Sequence, residues 1–483
     1  MQNIRTLAVI LLAVLVPVMS RAQTDVPPAG APAAEVPAAA SADDPAVATR
    51  PDAAPELPEG RETPFMKLWN PVRDAGIHGS ASFDYFSSDK RLSNSNHYPG
   101  LNLTLKSAPQ YGEHVKLYGE ARIMAQNLNH STVPNHFDAR TQTLQDEVML
   151  ELREGYATLQ FGDLELRVGK QIIVWGRADE INPTDWLSAR NMTLLLPEPF
   201  DQRTGVFGVK ADYYLPSDFR LTGVWQPIPT ASVIPLPAVP GILFAPQLPD
   251  VKFSNGEYAA KIDHSSGGFD WSVSYFTGFN RLPEVSLLLP PGILSPTSPG
   301  YVGLSHHRIH GVGGDFVTVH GTWGFRGEAA YVHSKNGDGN RRDIQTPFVS
   351  YVAGIEKDFG ESANLIIQYF GKYVFHRYDT SMGLPDDQFA QYNALFTGQL
   401  DTVQNGVSVR LDKKWWSDTL DLDLMGAVNF ERTNWLIRPK LSYALTDEWK
   451  ATVGGEVYGG KKVSQFGFLE DNTTAFAEMK WSF

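Results

Sequence analysis

The stretch TLDLDLMGAVNF, residues 419–430, carries the pattern that decides the fold of this chain. Its apolar side chains recur at every second position, on one face of an extended strand: Leu420, Leu422, Leu424, Val428 and Phe430. The acidic Asp421 and Asp423 fall on the other face. This period of two is typical of a strand with one apolar and one polar side. It would suit a membrane barrel or a soluble antiparallel sandwich.

The same alternation recurs from about residue 75 to the end of the chain. The candidate strands lie near 75–87, 98–108, 112–125, 146–161, 163–175, 202–214, 218–226, 255–264, 268–279, 306–318, 322–335, 346–358, 362–376, 400–413, 418–431, 434–444, 447–460 and 472–483. Most of them have about the 9–11 residues that a tilted transmembrane strand needs.

The connections between these segments alternate between short turns, such as Gly162 and His320, and long loops. The exception is the tight link at Arg432–Thr433, which falls on the long-loop side. Outer-membrane barrels have short periplasmic turns and long outer loops, whereas a sandwich has no reason for this asymmetry. We therefore predict an all-β fold, a transmembrane antiparallel up-and-down β-barrel of about 18 strands, with about 16 as the alternative.

The two ends of the chain support export. Arg5 precedes the apolar run from Leu7 to Val18, and Ser20-Arg21-Ala22 offers small residues for signal-peptide cleavage. We predict a signal peptide over residues 1–22. The Pro/Ala-rich residues 23–74 are predicted to be a disordered periplasmic tail, and residues 75–483 the barrel.

Composition narrows the function classes. The chain has no cysteine, and no later segment carries about 18 consecutive apolar residues, which argues against a helical membrane protein. The net charge of −13 argues against a nucleic-acid partner. Aromatic residues make up 11% of the chain, which suits a barrel with aromatic girdles in the bacterial outer membrane. The expected surroundings are outer-membrane lipid and lipopolysaccharide.

The last strand, TAFAEMKWSF at residues 474–483, alternates in the same way. Trp481 and Phe483 fall on its apolar face, opposite Lys480 and Ser482. The strand resembles the C-terminal signature of outer-membrane barrels, an alternating segment that ends in Phe. That resemblance implies that Phe483 is read as an assembly signal by the barrel-assembly machinery.

If the apolar faces meet lipid, the polar faces line the interior, because charges at mid-membrane on the lipid side cost about 2–4 kcal/mol. The predicted lumen-facing residues are Lys116, Glu120, Arg122, Glu165, Arg167, Lys210, Asp212, Arg326, Glu328, Arg410, Asp412, Asp421 and Asp423. Their charges are mixed. They indicate either cross-strand pairing that stiffens the wall or an aqueous pathway for polar solutes.

The stretch RVGKQIIVWGRADEINPTD, residues 167–185, departs from the strand pattern after Trp175-Gly176. It resembles a stretch of porin-like outer-membrane barrels, including alginate-export-type channels. That resemblance implies that the chain through Phe200 folds inward as a constriction, with Arg177, Asp179, Asp185 and Arg190 as its site residues. The alternative is a solvated outer loop with a turn at Asn182-Pro183. Lys170 departs from the strict alternation of polar and apolar residues, and a β-bulge at Gly169 would restore that alternation.

Two apolar loops, residues 227–249 and 282–303, are too apolar to be left in water, so they should pack together, fill the lumen or bind a partner. The predicted function is an outer-membrane channel for small molecules. The alternatives are an export conduit, for instance for a polysaccharide, working with periplasmic partners, and a closed structural or adhesion barrel with a surface partner. No catalytic residue, metal or cofactor is predicted.

Overall fold

The computed structural model describes residues 76–89, 96–126, 136–138, 143–145, 148–234, 242–289, 299–360, 362–377 and 385–483. The predicted signal peptide and periplasmic tail lie outside these residues. The chain from residue 78 to residue 483 is one compact unit.

This unit is a closed barrel of 18 antiparallel strands, as the alternation predicts. The strands are β1 (Ile77–Ser88), β2 (His97–Ser107), β3 (Val115–Gln126), β4 (Met149–Phe161), β5 (Leu164–Gln171), β6 (Val206–Leu215), β7 (Phe219–Gln226), β8 (Glu257–Ser266), β9 (Phe269–Phe279), β10 (Arg308–His320), β11 (Trp323–Ser334), β12 (Phe348–Asp358), β13 (Ala363–Val374), β14 (Val403–Trp415), β15 (Leu420–Asn429), β16 (Asn434–Ala444), β17 (Trp449–Gly460) and β18 (Thr474–Ser482). Each strand pairs with the next, and β18 pairs with β1 in the register Phe83↔Met479. This last pairing leaves the sheet without an open edge.

The two faces of the wall differ as the sequence pattern requires. In β9, Val273 and Tyr275 are 49% and 42% exposed, whereas Ser272, Ser274 and Phe276 between and beside them are buried. Exposed aromatic side chains gather near the short turns: Phe161, Tyr213, Trp323, Trp415 and Trp449. A second group lies near the long loops: Tyr85, Tyr258, Tyr331, Tyr373 and Phe430. An apolar outer band between two aromatic girdles is the surface that a bilayer requires.

The two apolar loops pack against each other at the long-loop end. Ile242–Gln247 pairs in parallel with Gly300–Ser305, which pairs antiparallel with Glu284–Leu289. We call this three-stranded sheet the cap sheet. Its buried Val285, Val302 and Leu304 contact Phe396 of the helix α1 (Pro385–Phe396). Of the three fates predicted for these loops, the described residues adopt mutual packing.

One local prediction is wrong. Pairing on both sides of Gly169 continues without a break, so there is no bulge at that position. The register shift lies instead on the neighbouring strand, where Glu120 pairs with Glu154 and Ala121 pairs with Leu152. Arg153 is the extra residue, and it turns inward beside Glu154.

Shorter elements complete the described chain: the two-residue strands Gln110–Tyr111, Ala189–Arg190 and Arg203–Thr204, the strands His136–Asp138 and Thr143–Gln145, and the 3-10 turns Pro199–Gln202, Phe253–Asn255 and Gly467–Asn472. No helix in the described ranges is long and apolar enough to cross a membrane.

Candidate functional site

Residues 172–205 connect β5 to β6 and contain all four residues predicted to constrict a pore. We call them the β5–β6 segment. Their first turn depends on Gly176, whose φ of 99° lies in the left-handed region. Glu328 of β11 occupies the space that a Cβ would take there. Its carboxylate accepts four hydrogen bonds, from the backbone N–H groups of Arg177 (3.1 Å), Ala178 (3.2 Å) and Thr184 (2.7 Å) and from the Thr184 hydroxyl (2.8 Å).

We expect Gly176→Ala to destabilise this turn, because the new Cβ would lie 2.5 Å from Oε1 of Glu328. A left-handed backbone alone costs a residue other than glycine about 1–2 kcal/mol. Heat-modifiable electrophoresis should therefore show a lower unfolding temperature. The matched control is Gly223→Ala, where a Cβ meets nothing within 4 Å. Equal unfolding temperatures for the two variants would contradict the assigned role of Gly176.

Arg177 and Asp179 reach the wall on two sides of the barrel. The Arg177 guanidinium pairs with Asp315 of β10 and lies 3.8 Å from Asp263 of β8. The Asp179 backbone N–H donates to Gln368 of β13 at 2.8 Å. Its carboxylate lies 3.1 Å from Nη1 of Arg410 on β14. Burial raises the pKa of the Asp179 carboxyl above its ordinary value, and Arg410 opposes that shift.

The side chains of Asp185 and Arg190 instead contact each other within the segment. Oδ2 of Asp185 accepts hydrogen bonds from Arg190 at 3.2 Å and from Arg203 at 2.6 Å. Ala189–Arg190 also pairs with Arg203–Thr204 as a short antiparallel ladder. These two predicted site residues therefore hold the segment in shape, while Arg177 and Asp179 attach it to the wall.

Apolar side chains of the segment pack against the wall as well. Trp175, Trp186 and Leu187 form a buried cluster with side chains of β7 to β11: Val224, Ala259, Phe276, Ile309, Ala330 and Val332. Farther along, Leu194 packs against Met124 and Met149 of β3 and β4. In the strands, these wall residues lie on the face opposite the exposed apolar band.

Several contributors to this site were missed in the sequence. Besides Asp263, Asp315 and Gln368, they include Arg438, Lys440 and Arg281. Nη1 of Arg438 on β16 lies 2.8 Å from Glu180, and Nζ of Lys440 lies 2.7 Å from Glu198. The buried guanidinium of Arg281 donates to the carbonyls of Trp186 (3.0 Å) and Leu187 (3.1 Å). Alternation could have revealed Arg438 and Lys440 on the polar face of β16. The Arg281 position carries no pattern, because it lies in a loop.

The residues predicted to line the lumen are mostly ion-paired. Described ion pairs that involve these residues are Arg122–Glu151 (2.6 Å), Arg153–Glu120 (2.8 Å), Arg410–Asp423 (2.8 Å), Lys210–Asp212 (3.2 Å), Arg410–Asp412 (3.6 Å), Arg167–Glu165 (3.7 Å) and Arg326–Glu356. Lys116 is exposed beside a short turn, and Asp421 is half-buried. Ion pairs between wall residues are therefore present. Arg410 also pairs with Asp179 of the β5–β6 segment, and Glu328 accepts hydrogen bonds from that segment.

A closed barrel with an apolar outer band, aromatic girdles and an ion-paired inner face is an outer-membrane β-barrel. Its 18 antiparallel strands and polar interior make it porin-like, and its location is the outer membrane of a Gram-negative bacterium.

No family model matches the chain, and no curated protein matches it. Similar solved structures include Pseudomonas aeruginosa OccK11 (OpdR), at a TM-score of 0.48 and 11% identity over 84% of this chain and 96% of that one. The structure of Pseudomonas aeruginosa OpdK with vanillate has a TM-score of 0.48 and 12% identity, and the match covers 84% of this chain and 98% of that one. A mutant porin of Rh. blastica has a TM-score of 0.37 and 8% identity, and the match covers 84% of this chain and 99% of that one. The assignment to the porin-like class rests on the barrel described above.

Proposed function

We propose that this chain is a channel for small solutes, not an enzyme, and that the β5–β6 segment folds into the lumen and narrows it. One observation carries the proposal. Hydrogen bonds and ion pairs join the segment to β3, β4, β7, β8, β10, β11, β13, β14 and β16. A segment that contacts strands so far around the wall is expected to cross the interior.

The charged residues beside this crossing support passage of polar solutes. The side chains of Glu198, Glu456 and Glu180 are 46%, 32% and 27% exposed, so water reaches them. The basic residues Arg438 and Lys440, both on β16, lie within reach of the same carboxylates. A narrow passage bordered by opposed charges creates a transverse field, which favours hydrated polar molecules over apolar ones.

Single-channel recording in planar bilayers tests the proposal. The purified protein should give stable currents, and replacing residues 178–200 by a short Gly-Ser linker should raise the conductance at least about twofold, because a constriction dominates the resistance of a pore. Currents of equal size would contradict the constriction. Silence from both proteins would contradict the channel and favour a closed barrel.

The charges along the passage should also set its ion preference. We expect the double variant Arg438→Gln and Lys440→Gln to become more cation-selective, because two positive charges leave the wall while Glu180 and Glu198 remain. The measurement is the reversal potential in a KCl gradient. Lys252→Gln removes an exposed charge from an outer loop and should leave the potential unchanged. A double variant with the wild-type potential would place these residues away from the ion path.

A further inference from the structure

Basic residues gather on the lipid-facing side of the barrel, at the long-loop ends of β10 and β11. Arg308 and His310 alternate along β10 on the same face as the exposed Val312. His310 pairs directly with His333 of β11, and both histidines are exposed. Side chains opposite each other in such a pair lie about 5 Å apart, so these groups share one surface. We call Arg308, His310 and His333 the outer basic patch.

The Arg308 guanidinium keeps its positive charge on this surface. Its described hydrogen-bond acceptors are all neutral: the carbonyls of Ser254 and Gly256 and the hydroxyl of Thr277. The guanidinium also lies 4.6 Å from the centre of the Phe279 ring. The carboxylate of Glu257 feels the charge of Arg308, but it is buried and pairs with Arg281 at 2.8 Å. Arg308 therefore remains available to a negative group from outside the chain.

Tyrosine side chains orient both histidine rings of the patch. Nδ1 of His310 lies 2.9 Å from the Tyr275 hydroxyl, and Nδ1 of His333 lies 3.4 Å from the Tyr331 hydroxyl. When the tyrosine donates to Nδ1, a neutral ring carries its proton on Nε2, and a protonated ring always carries one there. Each ring can therefore donate a hydrogen bond from Nε2 to an anion.

The wall beside the patch is apolar toward the middle of the membrane. Val312 of β10 and Val273 of β9 are exposed on the lipid-facing side, and Phe316 follows one turn of the alternation farther along β10. Tyr275 and Tyr331 belong to the aromatic girdle near the long loops. The patch thus lies where the outer surface changes from apolar to polar, which is the depth of a lipid headgroup.

We propose that the outer basic patch binds a phosphate group of lipid A in the outer leaflet of the membrane. The long loops mark the outer side of the membrane, where lipid A carries its phosphates directly above its acyl chains. Guanidinium and imidazole N–H groups form charge-assisted hydrogen bonds with phosphate, and clustered bases on a membrane protein recognise lipid headgroups. A free anion would make the same polar contacts but none with Val312 and Val273, so the combined surface fits a lipid.

Native mass spectrometry of the full chain in detergent, titrated with bisphosphorylated lipid A, tests the proposal and does not depend on conductance. Arg308→Gln should weaken binding at least about tenfold, which corresponds to about 1.4 kcal/mol. The double variant His310→Gln and His333→Gln should weaken it in the same direction, and it keeps the test decisive if Arg308→Gln fails to fold.

Two matched controls change the same residue types at the short-turn end of the barrel. His320 is exposed at the opposite end of β10. Lys413 of β14 donates to the Ser362 hydroxyl at 3.0 Å, beside a short turn. His320→Gln and Lys413→Gln should bind lipid A as the wild type does, because their positions face the inner leaflet.

Two further lipids identify what the patch recognises. Dephosphorylated lipid A should bind at least about tenfold more weakly than the bisphosphorylated form and should not respond to Arg308→Gln. Phosphatidylglycerol that binds as tightly as lipid A, with the same dependence on Arg308, would overturn the assignment to lipid A. Unchanged binding in both patch variants, or equal losses in the two controls, would overturn the site itself.

Discussion

Replacing Glu328 by leucine is expected to release the first turn of the β5–β6 segment and to raise the open-channel current. Glu328 is buried and accepts four hydrogen bonds from that turn, three of them from backbone N–H groups. Leucine leaves these buried donors without an acceptor, which costs about 1–3 kcal/mol for each donor. Single-channel conductance and trypsin cleavage after Arg177 measure the release.

The control for this experiment is Asp212→Leu. Asp212 is equally buried, but its described contacts are to Lys210 and Thr222 of the wall, at 3.2 and 2.6 Å. It should lower stability while leaving the conductance and the cleavage pattern unchanged. If both variants conduct alike, Glu328 acts only as a wall residue and does not hold the segment.

Deleting Phe483 is expected to reduce assembled barrel in the outer membrane about tenfold or more. The Phe483 N–H donates to the Gly79 carbonyl at 2.9 Å, and the Phe483 carbonyl accepts from the Gly79 N–H at 2.8 Å. Its ring packs 4.6 Å from the ring of Trp481. The deletion removes two backbone hydrogen bonds at the seam, worth about 0.5–1.5 kcal/mol each, and the proposed signal for the assembly machinery. Heat-modifiable electrophoresis of outer-membrane fractions measures the folded fraction.

The control is a deletion of residues 27–60, which lie in the predicted tail and outside the described barrel. The folded fraction should stay close to wild type. Normal assembly without Phe483 would show that the resemblance to the C-terminal signature has no functional weight here. The conclusion that the barrel is closed would not change, because it depends on the pairing of the strands.

The barrel itself was predictable because its rule is local. A wall between lipid and a polar interior imposes a period of two on every strand, and residues 419–430 show it without reference to any other part of the chain. The tight link at Arg432–Thr433 was also visible, since strand ends were marked on both sides. It lies in the short connection between Asn429 and Asn434, as predicted.

The site was predictable only in part, because its contacts are distant in sequence. Arg177, Asp179, Glu328 and Arg410 were all named from the sequence, but the contacts between them were not. Glu328 and Arg410 lie about 150 and 230 residues from the part of the segment that they bond to. No local pattern relates Arg281 to the carbonyl of Trp186. The cap sheet likewise depends on parallel pairing between two loops, for which the sequence offers only apolar composition.

The reach of the β5–β6 segment has a consequence for the order of events during folding. Glu180 bonds to Arg438, which is 258 positions later in the chain, and Glu198 bonds to Lys440. These ion pairs must wait for β16, and closing so long a stretch of chain is entropically costly until the wall is in place. We therefore expect a newly inserted barrel to pass through a leaky stage, and the cell's permeability barrier to depend on how quickly the segment docks.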